Sequence, residues 1–201
     1  AGTMALLAAL LGLVGLTGWI FDVDVLRSVL PGVAVSMKAN TAVAVMALGV
    51  SLFLVARGPV HGWTATLARA AAALACVIAA LTLVENVTGA NLGVDELLFR
   101  DDTADVQTRV PGRSGPNTAV AVALAGAAAL CTSTRRCPAW ISQLMGLLVG
   151  ALGMLRLYGA AYAVPELERF GAYTGMALHT APALVLLGAA AFLARPDQGL
   201  S

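Results

Sequence analysis

Six apolar runs, separated by polar stretches that hold nearly all the charge, constrain this chain more than any other feature. They run from Met4 to Ile20, Asn40 to Ala56, Ala65 to Val84, Asn117 to Cys131, Trp140 to Tyr162 and Met176 to Leu193, the fourth expected to continue as helix through Ser133. Most reach or exceed the ~17 residues that carry a helix across the hydrocarbon core of a bilayer. Charged residues make up 11% of the sequence, and a soluble domain needs about 25% to cover its water-facing surface. With 59% hydrophobic residues, the expected class is an all-α integral membrane protein. It would have six transmembrane helices in a single membrane domain spanning 1–201, and the lipid bilayer is its first partner. The net charge of +1, with no basic stripe, excludes a nucleic-acid partner. No Lys or Arg precedes the first run, which argues against a cleaved signal peptide.

A short polar signature recurs at the start of every second run. It stands as Asn40-Thr41-Ala42, returns as Asn117-Thr118-Ala119, and appears a third time as His179-Thr180-Ala181. Each copy follows a polar loop and opens an apolar run. The order of apolar helix, polar loop, triplet, apolar helix and short exit divides the chain into three helical hairpins of about 1–60, 61–137 and 138–201. A hairpin of this size cannot bury its faces alone, so the three must pack together. Quasi-threefold packing around a shared axis is the preferred arrangement, and an open row of hairpins is the alternative. Glycines at Gly12, Gly15 and Gly18, and at Gly146 and Gly150, predict close helix approach.

Six crossings place both termini on one side. The terminal side holds Arg57, Arg135, Arg136 and Arg195 on short loops and exits, with Arg69 one turn inside the third run; the other side holds more cations but spreads them over longer loops. Basic density therefore favours cytoplasmic termini in a bacterial inner membrane, although the raw count runs the other way. Trp19 and Phe21 fall where an interfacial aromatic belt would sit. The segment 21–39 predicts a short interfacial helix ended by Pro31-Gly32, and Leu92 to Phe99 an amphipathic turn or short helix on the membrane surface. The C-x5-C spacing of Cys131 and Cys137 fits no common zinc pattern, and the expectation is reduced, unpaired cysteines facing the cytoplasm.

The triplets have two readings. Asn is a preferred helix N-cap, so the triplet can be a reused helix-start signal. Alternatively, three helix N-termini converging at one depth, flanked by Lys38 and Arg113, form a pocket for an anionic or carbonyl-bearing ligand. His179 breaks the pattern and reads as a structural, a ligand-contacting or, least of all, a metal-binding residue. His61 lies on the opposite side, which argues against a bis-His haem site. Glu85 and Arg156 end the third and fifth runs at similar depth. They either reach interfacial water or pair across the bundle near Tyr158. The ligand-binding set is thus Asn40, Asn117, His179, Glu85, Arg156, Tyr158, Lys38 and Arg113. There is no H-E-x-x-H, G-x-S-x-G or phosphate-binding glycine loop, and nothing points to an enzyme. No cofactor is indicated by the residues.

Several segments also carry a resemblance. Ser36-Met37-Lys38-Ala39-Asn40-Thr41-Ala42 resembles the S-M-K-P-N-T-A run of multi-pass N-terminal regions in bacterial membrane sensor histidine kinases and related signalling proteins. Leu83 to Asn86 with Asn91 to Phe99, Pro111 to Arg113 with Pro116 to Ala119, Tyr173 to Ala181, and Ala194 to Gly199 are similar to later segments of that family, in the same order. The resemblance implies a membrane-embedded sensory input module whose partners are cytoplasmic PAS and kinase or cyclase domains. The sequence holds neither kinase motifs nor a PAS-sized segment. The expectation is therefore the sensory part of a longer protein, or a stand-alone relative serving a larger membrane complex. A structural subunit of an electron-transfer assembly is the alternative function, and a small transporter the third.

Overall fold

The computed structural model describes residues 1–28, 35–58, 60–101, 110–134, 137–164 and 175–195. It is all-helical over these residues: α1 (Gly2–Ile20), α2 (Asp24–Arg27), α3 (Ala39–Ala56), α4 (Gly62–Thr88), α5 (Pro116–Thr132), α6 (Ala139–Tyr162) and α7 (Thr180–Phe192). Four of them, α1, α3, α4 and α6, are long and apolar enough to cross a membrane; α5 and α7 are shorter apolar helices.

Local chemistry explains the ends. Pro116 opens α5 at its first position, where its missing N–H costs nothing and its fixed φ suits a helix. Gly89 closes α4 with φ +72°, a left-handed turn that glycine adopts without strain. The third apolar run is longer than expected: α4 continues past Val84 through Glu85 to Thr88. The last is shorter, since residues 175–179 lead into α7 without being part of it.

The helices close on themselves. α3, α5 and α7 touch one another, while α1 packs against α3 and α7, α4 against α3 and α5, and α6 against α5 and α7. The three helices opened by the triplets are therefore innermost. Burial agrees: 61% of the α3 span is buried, against 33% for α1 and 28% for both α4 and α6. The buried faces are built from Ala8, Ala44, Ala72, Ala121, Ala128 and Ala183 with a few leucines. Large apolar side chains such as Leu6, Leu10, Leu13, Leu144 and Leu147 face outward instead. Small residues inside and large ones outside is how helices pack when lipid, not water, surrounds them.

Glycine sets the closest approaches. A Cβ on Gly12 of α1 would lie 2.6 Å from Met46 N and 2.7 Å from Ala42 O of α3; one on Gly49 would meet Ala9 N and Ala5 O at 2.6 and 2.7 Å. On α6, a Cβ on Gly146 would lie 2.7 Å from Gly188 O, and one on Gly153 the same distance from Ala181 O. These neighbours are backbone atoms and cannot step aside.

Of the two forms expected for Leu92 to Phe99, the turn is the one present, and its side chains and carbonyls close a loop over the helix ends. Three expectations need correction. Trp19 is buried, not interfacial: its Nε1 donates to Met37 O at 2.8 Å and Arg27 lies over its ring. Asn40 and Asn117 are not N-caps, since each occupies the second helical position, behind Lys38 and Gly115 as caps. Cys131 and Cys137 are joined in a disulfide, with Cα atoms 5.3 Å apart, and only Cys76 is free. The short helix expected before the first triplet is present as α2, while Pro31-Gly32 lies outside the described residues.

Candidate functional site

Three chain segments, each leading into an inner helix, meet at one end of the bundle. They line a cavity of about 10 Å³, room for roughly one water molecule. Thr41, Thr118 and Thr180, the second residue of every triplet, all contribute to its wall, with Ser36, Lys38 and Ser114. Asn40, Asn117 and His179 are not among the lining residues. The cavity wall is thus formed one residue later in each triplet than expected, by the Thr positions. Thr41 Oγ1 and Ser114 Oγ lie 2.6 Å apart, a direct hydrogen bond between the α3 and α5 approaches.

Around the cavity lies an unusual density of buried charge. Lys38 is 2% exposed and forms a 2.7 Å ion pair with Asp101, and also donates to Ser36 Oγ. Gly112 N donates to the same Asp101 oxygen at 2.8 Å. Arg113 forms a 2.6 Å ion pair with Asp95 and a 3.7 Å one with Glu85, and donates to the carbonyls of Glu85 and Ala90. Burying charges costs several kcal/mol per ion unless each is paired and hydrogen-bonded, and this network meets that requirement almost everywhere. The exception is Glu85, fully buried on α4. Its Oε1 accepts from Leu92 N at 2.8 Å, while its Oε2 has no hydrogen-bond partner among the described residues.

Two carboxylates, Glu85 and Asp95, therefore share one guanidinium. Burial raises the Asp95 carboxyl to about pKa 6; the bond and charge of Arg113 oppose this, and neighbouring Glu85 adds to it. Asp95 and Asp101 sit on the α4–α5 loop, so both ion pairs fasten that loop to the helix starts. Asn40 joins them by donating from Nδ2 to Val94 O at 2.7 Å, and Asn86 Nδ2 reaches Ser114 O at 3.1 Å.

The remaining expected residues divide. Arg156, on α6, is buried and donates from Nε to Met176 O at 2.7 Å, which fixes the approach to α7. Its expected partner Glu85 pairs with Arg113 instead, so the cross-bundle pair is not formed. Tyr158 is 51% exposed and stacks on Tyr162 on the outside of α6, away from the buried cluster. Asn117 accepts from Thr118 N at 2.9 Å. His179 is buried at the start of α7, and neither ring nitrogen has a hydrogen-bond partner among the described residues. Sequence reasoning missed Asp95 and Asp101, whose polar loop gave no sign that two of its carboxylates would be buried. Among the described residues no cluster of His, Cys, Asp and Glu is placed to hold a metal ion.

No protein-family model matches the chain, and no curated protein or solved structure is detectably similar to it.

Proposed function

We propose that the chain is a membrane-embedded sensory input module of a bacterial signalling protein. In this reading six helices cross the cytoplasmic membrane as three repeated hairpins about a quasi-threefold axis, with both termini cytoplasmic. The observation that carries it is the position of α7. Its first residue, Thr180, lines the polar cavity at the triplet end, and Arg195 just past its last turn is gripped by the turn that follows α5. A change in the charged loop at one end is thereby connected to the exit at the other. The short length of α5 and α7 fits the reading, because non-helical backbone is tolerated at membrane depth where it lines a polar cavity. The resemblance of the triplet segments to sensor-kinase membrane regions points the same way, and makes PAS and kinase domains the expected partners.

The cavity holds about one water, so a ligand acts only by displacing the α4–α5 loop. That same tightness favours a second reading, a non-catalytic structural subunit of a larger membrane complex. The test is to release the loop with Asp101→Asn in lipid nanodiscs and follow hydrogen exchange along the chain. A sensory module gives faster exchange at 193–195 as well as at 90–101. Change confined to the loop contradicts it, and recovery of the wild-type protein with a stoichiometric partner supports the second reading.

A further inference from the structure

The turn at the opposite end of the bundle, which grips Arg195 in the sensory reading, also carries a disulfide that this reading does not use. α5 ends at Thr132, and the last carbonyls of a helix have no partners within it. Upstream carbonyls are taken by side chains: Thr132 Oγ1 donates to Ala129 O at 2.8 Å, and Ser133 Oγ and Thr134 Oγ1 to Leu130 O at 2.8 and 2.9 Å. Of the next ones, Ser133 O accepts from Arg69 at 3.2 Å, and four others converge on a second cation. Arg195 donates to Cys131 O at 3.1 Å, Thr132 O at 2.6 Å, Thr134 O at 2.8 Å and Cys137 O at 2.9 Å. The cup therefore consists of four carbonyls at the negative end of a helix dipole, closed around one guanidinium. The Cys131–Cys137 disulfide joins the first and last residues of this cup.

We propose that this disulfide is an exchangeable redox site that controls the grip on Arg195, and through it the exit of α7. The inference rests on the cytoplasmic orientation of the termini given above. Disulfides in a reducing compartment are typically transient and sensing, whereas those facing an oxidising one persist as staples. The reductant is a dithiol. Its thiolate attacks Cys137, the more exposed sulfur, since Cys131 is buried. The S–S bond breaks, Cys131 leaves as a thiolate and takes up a proton, and a mixed disulfide remains on Cys137. The second thiol of the reductant then displaces Cys137, which leaves as a thiol, and the reductant departs as a cyclic disulfide. Two electrons and two protons pass to the protein. With the crosslink gone, only the backbone bonds from Cys137 N to Thr134 O and from Thr134 N to Cys131 O, each 3.1 Å, hold Cys137 to the end of α5, and the four-point grip loosens.

The test uses the wild-type protein in lipid nanodiscs, with dithiothreitol as the dithiol and alkylation followed by mass spectrometry to count reduced Cys131 and Cys137. Full reduction is expected to speed hydrogen exchange at 193–195 by about tenfold or more and to be reversed on reoxidation. A Cys131→Ser, Cys137→Ser variant should exchange at the reduced rate in both conditions. Complete reduction with unchanged exchange at 193–195 overturns the switch, whichever side the turn faces. Labelling of the two reduced cysteines in intact cells by a membrane-impermeant maleimide overturns the cytoplasmic orientation separately, and the redox role with it.

Discussion

Replacing Lys38 by methionine removes the 2.7 Å ion-pair partner of Asp101, a carboxylate that is itself buried. Stripping one member from a buried pair costs about 3–5 kcal/mol, whereas replacing both with apolar residues of similar volume is often close to neutral. Lys38→Met should therefore lower the melting temperature sharply, and adding Asp101→Leu should restore most of the loss. A double variant as unstable as the single one contradicts the pairing. Asp95 makes a prediction of opposite sign from the usual acidic residue. Its folded pKa is raised, to about 6 from 3.8, chiefly by burial. Between those values the folded protein keeps a proton that the unfolded chain releases. This group's contribution to stability therefore grows as pH falls through 6, levels off below about 4, and is lost as pH rises above 6. Infrared difference spectra should show a protonated carboxyl band appearing near pH 6 in the wild type and missing in Asp95→Asn. Of these residues, Lys38, Arg113 and Glu85 were legible in the sequence, because a charge beside an apolar run is conspicuous. Asp95 and Asp101 were not, since a carboxylate in a polar loop looks solvated until the loop is seen folded back over the helix ends.

The elements were easier to read than their ends. Apolar runs show where helices lie, but α4 overruns its expected stop because Glu85 finds Arg113 and Leu92 N inside the protein instead of interfacial water. Asn40 and Asn117 fall inside their helices, as the residues ahead of them already begin the turn. Glycine spacing indicated close approach without saying which glycine makes it. In the Gly146–Gly150 pair the two positions differ. A Cβ on Gly146 would lie 2.7 Å from Gly188 O, whereas one on Gly150 would meet nothing within 4 Å. Gly146→Ala should destabilise by about 1–3 kcal/mol, the usual cost of overpacking. Gly150→Ala should be neutral or slightly stabilising, because alanine is the better helix former. Thermal melts in detergent separate the two, and equal losses contradict the α6–α7 contact as described.

At the scale of the whole molecule, two arrangements of the hairpins were consistent with the sequence, a closed bundle and an open row. Composition could not decide between them, since both bury the same kinds of residue and the outer helices face lipid in either case. The contacts of α7 with α1 and α3 are what close the bundle, and they bring the first and last triplets to one cavity. The proposed sensing across the bundle depends on that closure, because a row would leave α7 beyond reach of the Lys38–Asp101 latch. The most direct measurement is oxidative crosslinking in native membranes, in a Cys76→Ala background with the Cys131–Cys137 disulfide left in place. Three paired variants carry cysteine at positions 41 and 118, 118 and 180, or 41 and 180. Closure around one axis predicts intramolecular crosslinks in all three. Crosslinking of the two neighbouring pairs without the pair that joins Thr41→Cys to Thr180→Cys would contradict it.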